Sequence, residues 1–218
     1  MAKLPIQFLA CSFFLVLALH SFSVRCQEVE DETEFSYSAD SPIGPARWGE
    51  IHADWGACSN GTMQSPIDMS SERVSIVSHL GRLRRSYKPT NAVLRNRGHD
   101  MMLRWEGEAG AIEINGTEYA LSQCHWHSPS EHTINGRRYD LELHLVHESA
   151  DGKVAVVGIM YKIGRPDSFL SSVRTVTREQ LRLLRVAVHD DSDTNARPLQ
   201  AINDRSIELF RPDDKGQN

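Results

Sequence analysis

Three histidines on two short stretches carry the clearest chemistry in this sequence. In Gln123-Cys-His-Trp-His127 two of them stand two residues apart, and in an extended strand that spacing turns both rings to one face. In Glu142-Leu-His-Leu-Val146 the same alternation places Glu142, His144 and Val146 on one face, with Leu141, Leu143, Leu145 and His147 on the other. Three neutral imidazoles with an open fourth position make a catalytic zinc site, because a bound water stays available for ionisation near neutral pH. The plain alternative is a set of satisfied sheet histidines. The His-x-His pair alone does not separate the two readings; the third strand histidine and the nearby acids favour the metal.

A second metal pattern competes with this one. His125-x-His127-x-x-x-Glu131 has the spacing by which cupin barrels offer two histidines and a glutamate to iron or manganese. Tyr119 and Arg138 stand where that pattern begins and ends with glycine, and no second cupin motif follows. It ranks behind zinc.

The elements that must position these residues read as short strands. Asn115-Gly116 separates Ala111–Ile114 from Thr117–Leu121, and Asn135-Gly136 separates His132–Ile134 from Arg137–Tyr139; both are hairpin-turn signals, so antiparallel β-structure dominates the middle. The continuous apolar run Val154–Tyr161 has strand length and is expected in the centre of a sheet, covered on both faces. Near the C-terminus Thr177-Arg-Glu-Gln180 has capping-box spacing and leads into Leu181, Leu184 and Val188, which predicts one short helix.

Composition bounds the remaining possibilities. The chain has 218 residues, 40% hydrophobic and 24% charged, with a formal net charge of −5, enough for one domain with a sizeable core. Lys3 followed by the apolar run Phe8–Leu19 is too short to span a bilayer comfortably and reads as a secretory signal. Residues 1–26 are assigned to it, with cleavage between Ser23 and Gln27. The mature chain is then secreted, without a membrane partner, and more acidic still, which argues against nucleic acid. Residues 27–43 read as a loose acidic leader, 44–212 as the domain and 213–218 as a tail. With Cys11 and Cys26 inside or at the edge of the signal, Cys58 and Cys124 remain, free to pair or to stay thiols. Asn60-Gly-Thr62 and Asn115-Gly-Thr117 match the N-glycosylation acceptor pattern.

Six blocks then stand in one order: Gly44-Pro-Ala-Arg-Trp48, Gln64-Ser-Pro-Ile-Asp68, Asn96-Arg-Gly-His99, His125-Trp-His-Ser-Pro-Ser-Glu-His132, Glu142-Leu-His-Leu-Val-His147 and Asn195-Ala-Arg-Pro198. Together they resemble the α-type carbonic anhydrases, especially the secreted plant ones, from about Gly44 to Phe210. The resemblance implies a mainly β (α+β) fold with a twisted, mostly antiparallel central sheet and short peripheral helices. It implies zinc held by His125, His127 and His144, and reversible hydration of carbon dioxide to bicarbonate and a proton. It gives Gln123, Glu142 and the Asn195 carbonyl the task of orienting the three ligands, and Val146 and Val156 the apolar substrate pocket. His99 would carry the proton to buffer, helped by an ordinary histidine pKa, and Glu131 would be a second catalytic residue.

The resemblance also exposes a gap. Family members carry several dozen further residues between the stretches that here meet at Val173 and Arg174, including a Ser-Leu-Thr-Thr-Pro-Pro motif; no Thr-Pro-Pro occurs in this chain. The threonine of that motif bridges the attacking group and the glutamate matched by Glu131. The cysteine matched by Cys58 pairs, in secreted relatives, with one just after that Pro-Pro. Such a disulfide contributes about 2–4 kcal/mol. Cys124, on the strand face opposite His125, is expected as a small buried core residue. The expectation is thus a shortened, incomplete member of the fold with its ligands intact and its turnover impaired, and the alternative is a non-catalytic secreted zinc-binding relative.

Overall fold

The computed structural model describes residues 34–77, 81–164, 175–188 and 194–210. The signal segment, the C-terminal tail and the Val173/Arg174 junction lie outside the described residues. Thirteen strands are found among those described: β1 (Asp68–Met69), β2 (Val74–Ile76), β3 (Arg84–Arg85), β4 (Ala92–Asn96), β5 (Met101–Trp105), β6 (Ala111–Ile114), β7 (Thr117–His127), β8 (Thr133–Ile134), β9 (Arg137–Arg138), β10 (Leu141–Ser149), β11 (Val154–Ile163), β12 (Thr175–Val176) and β13 (Ile207–Leu209). Three α-helices accompany them: α1 (Trp48–Ile51), α2 (Ala57–Asn60) and α3 (Arg178–Ala187). The main sheet runs β12-β11-β10-β7-β5-β4, with β6 also on β7 and β3 on β6. All of its pairs are antiparallel except β11 with β12.

Local chemistry accounts for the framework. Asn115 and Asn135 adopt φ of 50°, followed by Gly116 and Gly136 at 77° and 71°, the paired left-handed conformation of two-residue hairpin turns. Both predicted hairpins form, joining β6 to β7 and β8 to β9. α3 starts where the capping box places it: the Gln180 N–H donates to Thr177 Oγ1 and the Thr177 N–H donates to Gln180 Oε1, each at 3.0 Å. Its Leu181 joins Cys124, Leu141, Leu143 and Tyr161 in the buried core on one face of the sheet. Burying one leucine of this kind contributes about 1.5–3 kcal/mol. The opposite face belongs to the histidines.

Two expectations change. Residues 34–43 are not loose: Phe35 and Ser36 are buried, Phe35 and Tyr37 each meet Trp48 edge-on with ring centroids 5.3 Å apart, and the Trp48 indole N–H donates to the Ser36 carbonyl at 3.1 Å. The acidic leader therefore ends in an aromatic anchor. β11 is a strand as expected, but it is not covered on both faces: Val154 is 43% and Val156 52% exposed. Among the described residues only the two-residue β12 flanks it on the side away from β10, and no element overlies its histidine-side valines.

Candidate metal centre

Strand register assembles the site. His125 pairs directly with His144 across β7 and β10, and His127 pairs with Glu142. The three rings meet with centroid separations of 5.1 Å (His125–His127), 5.2 Å (His125–His144) and 4.7 Å (His127–His144). All three are buried, and one ring nitrogen from each lies within 4.8 Å of the others. Zinc–nitrogen bonds of 2.0–2.1 Å in a tetrahedron need those atoms about 3.3 Å apart, so small side-chain rotations close the cage.

The outer ring nitrogens are already committed. His125 Nδ1 faces Gln123 Oε1 at 3.0 Å, His127 Nδ1 faces the Asn195 carbonyl at 2.6 Å, and His144 Nε2 faces Glu142 Oε1 at 2.8 Å. Each acceptor takes an N–H, which fixes the tautomer and leaves the lone pair on the inner nitrogen. His127 Nε2 is buried with no hydrogen-bond partner, the condition expected of an atom meant for a metal. Burial first, and the neighbouring His127 and His144 second, push the His125 pKa down, which keeps it the neutral ligand a cation needs. The donor set fits zinc.

Glu142 is the hub behind the ligands. It is 1% exposed and accepts from His144 Nε2 and His132 Nδ1, both at 2.8 Å, and from the His132 N–H at 2.9 Å. Burial alone would raise its pKa; the hydrogen bonds from His132 and His144 outweigh it and hold the carboxyl well below its usual range. Gly158, opposite His144 on β11, makes room for this carboxylate, since a Cβ there would stand 3.0 Å from Glu142 Oε1.

Two contributors had no role in the sequence reading. His132, the second partner of Glu142, sits ten residues away in sequence. Arg197 donates its backbone N–H to Glu131 Oε1 at 2.9 Å, while its guanidinium donates to Gln64 Oε1 and to the carbonyls of Ser65 and Cys58 and lies over the Trp48 ring. Glu131 is therefore held, with Oε2 3.7 Å from His127 Nε2. Both residues lie inside motifs quoted above, but only their tertiary contacts give them work.

Val146 is buried and pairs with Val156 on the histidine face, where Val156 is half exposed. His99 is 6% exposed, its ring 4.9 Å from that of Phe35, and burial lowers its pKa below the ordinary value expected from the sequence. Asn195 ties the region together, accepting from the Ser128 N–H at its side-chain oxygen and donating to the carbonyls of His99 and Trp126. Asn60 and Asn115 are exposed. Cys58 and Cys124 are free thiols, Cys124 buried in the core, and burial pushes its pKa up to about 12.

A mainly β protein with a buried triad of histidines, each ring oriented by its own acceptor, is the class that the fold and site define. The profile of eukaryotic-type carbonic anhydrases matches residues 43–190, and the chain belongs to that family. It is 46% identical to alpha carbonic anhydrase 7 of Arabidopsis thaliana over 257 aligned positions, covering 92% of this chain and 94% of that one. Among solved structures it is similar to dioscorin complexed with ascorbate, with TM-score 0.75 and 38% identity over 79% of this chain and 96% of that one. It is also similar to the α-carbonic anhydrase of Thermovibrio ammonificans in complex with the inhibitor sulfanilamide, with TM-score 0.72 and 25% identity over 80% of this chain and 98% of that one. Among the described residues no helix is long and apolar enough to cross a membrane.

Proposed function

We propose that His125, His127 and His144 hold zinc, and that the chain is a secreted enzyme that reversibly hydrates carbon dioxide to bicarbonate and a proton, more slowly than a full-length relative. The observation that carries this reading is the triad with each outer nitrogen bonded to Gln123, Asn195 or Glu142. When bound there, zinc supplies a Lewis acid that makes water a nucleophile near neutral pH, an established property of this family. Gln123, Glu142 and Asn195 keep the imidazoles neutral and aimed. Val146 and Val156 offer carbon dioxide an apolar floor one row from the triad. His99 receives the proton, and its burial against the tilted Phe35 ring makes that transfer slower than through an exposed ring.

The reduced rate follows from the missing threonine and pocket wall at the 173/174 junction. The alignment with alpha carbonic anhydrase 7 spans 257 positions against a chain of 218 residues, which supports an internal segment present in the relative and lacking here. The second reading, a zinc-binding secreted protein without turnover, is favoured by the exposure of Val156, which leaves the apolar floor open to water.

The test is expression of the mature chain from Gln27, followed by stopped-flow carbon dioxide hydration with and without a sulfonamide, and again with the family segment restored at the junction. The expected result is slow, sulfonamide-sensitive hydration that rises on restoration. No turnover above buffer in a zinc-loaded, folded chain would sink the enzymatic reading in favour of the second. The family match over residues 43–190 rules out the cupin-like alternative, so iron or manganese instead of zinc on elemental analysis would contradict the zinc assignment alone. Sequencing transcripts across the codons for Val173 and Arg174 separates a genuine short form from a faulty gene structure.

A further inference from the structure

Antiparallel register sorts the histidine-bearing face into rows. One row runs Arg95, Met102, His125, His144, Gly158, and the next runs Val93, Arg104, Gln123, Val146, Val156. Residues directly opposite one another share a face, and so do residues two apart on a strand. Beside the histidines, this face thus carries Val146 and Val156 on β10 and β11 and Arg95 and Arg104, flanking Val93 and the buried Met102, on β4 and β5. Arg95 and Arg104 are exposed and diagonal neighbours on paired strands, with Cβ atoms within about 7 Å of each other. Arg84, Arg97 and Arg182 each sit on a carboxylate. Among the described residues Arg95 and Arg104 have no such partner. Two unpaired guanidiniums this close repel, and an anion between them relieves the repulsion.

At the other end of the second row Val156 is 52% exposed beside the buried Val146. Strand spacing of about 4.8 Å sets Arg104 roughly 10 Å from Val146 along that row, within reach of a ligand with an apolar ring at one end and a carboxylate at the other. We propose that this face binds small aryl carboxylates, the ring over Val146 and Val156 and the carboxylate on Arg104 and Arg95. The ring seat is the apolar floor assigned to carbon dioxide, so the proposal shares that site, while its arginine contacts need no metal and can hold where the zinc reading fails.

The test titrates the mature chain, zinc-loaded and chelator-treated, with 3-phenylpropanoate and with its neutral amide, by calorimetry at low ionic strength. The carboxylate should bind about fivefold or more tightly than the amide in both forms, and the advantage should shrink with added salt. Arg95→Glu with Arg104→Glu should abolish the preference, the corresponding lysine pair should keep part of it, and Val156→Asp should weaken both ligands. These positions are exposed, and the Arg95→Gln, Arg104→Gln pair serves if the charge reversal impairs folding. Equal affinities, no binding, a preference confined to the zinc form, or one that survives loss of both arginines overturns the proposal. A preference that persists in a chain unable to take up zinc would sink the zinc reading and leave this one standing.

Discussion

Replacing Glu142 by glutamine probes the hub behind the proposed ligands with the loss of one charge and almost no change of shape. Three N–H groups converge on this carboxylate, two on Oε1 and one on Oε2. A glutamine that keeps its oxygen toward the two histidine rings turns its NH2 onto the His132 N–H, donor against donor. Flipped, it presents NH2 to both rings and asks His144 to change tautomer, which would move the lone pair away from the metal. Either way one buried donor goes unmet, at about 1–3 kcal/mol in the zinc-free protein. Loss of an orienting partner of this kind weakens metal binding by about 10–100-fold, equivalent to about 1.4–2.7 kcal/mol. Competition against a chromophoric zinc chelator measures the affinity and urea unfolding the stability. A zinc dissociation constant within twofold of the parent chain would refute the idea that Glu142 fixes His144.

Three further outcomes follow from the same geometry. Gly158→Ala puts a Cβ 3.0 Å from Glu142 Oε1 and should weaken zinc by up to about tenfold, read by the same chelator competition; unchanged affinity would show that the carboxylate has room to yield. His99, His125 and His147 are each held below the ordinary histidine pKa by burial, so the unfolded chain takes up protons that the folded one refuses. Zinc-free stability should therefore fall as pH drops below about 6.5, with about 4 kcal/mol per pH unit as the ceiling for three protons, and urea titrations between pH 5 and 7 that give a flat profile would contradict this. In the mature chain a thiol reagent should label half-buried Cys58 in the native state and Cys124 only on unfolding, because the latter is buried with its pKa pushed up to about 12; two native labels would contradict the core placement.

The triad was legible because strand alternation is strict: residues two apart on β7 and the matching position on β10 can only share a face, and the Asn-Gly turns and the Thr177 capping box are local signals with local causes. What escaped the sequence depends on contacts distant along the chain. Phe35 sits in an acidic stretch without periodicity, and nothing nearby announces that it packs against the rings of Trp48 and His99; the lowered His99 pKa follows from the burial to which that packing contributes. Arg197 holds Glu131 through a backbone N–H, a group every residue but proline carries, so its identity gave no hint. The run Val154–Tyr161 reads as doubly buried because it is uniformly apolar, whereas burial depends on neighbouring chain, and the described residues place little beside β11.

Zinc content with X-ray absorption on the mature chain from Gln27 tests the proposed metal site most directly. The expected result is one zinc per chain, with about three imidazole nitrogens at 2.0–2.1 Å, lost when His127 is replaced by alanine. A folded chain that takes up no zinc, or one whose zinc survives the joint loss of His125, His127 and His144, would contradict the three-histidine site.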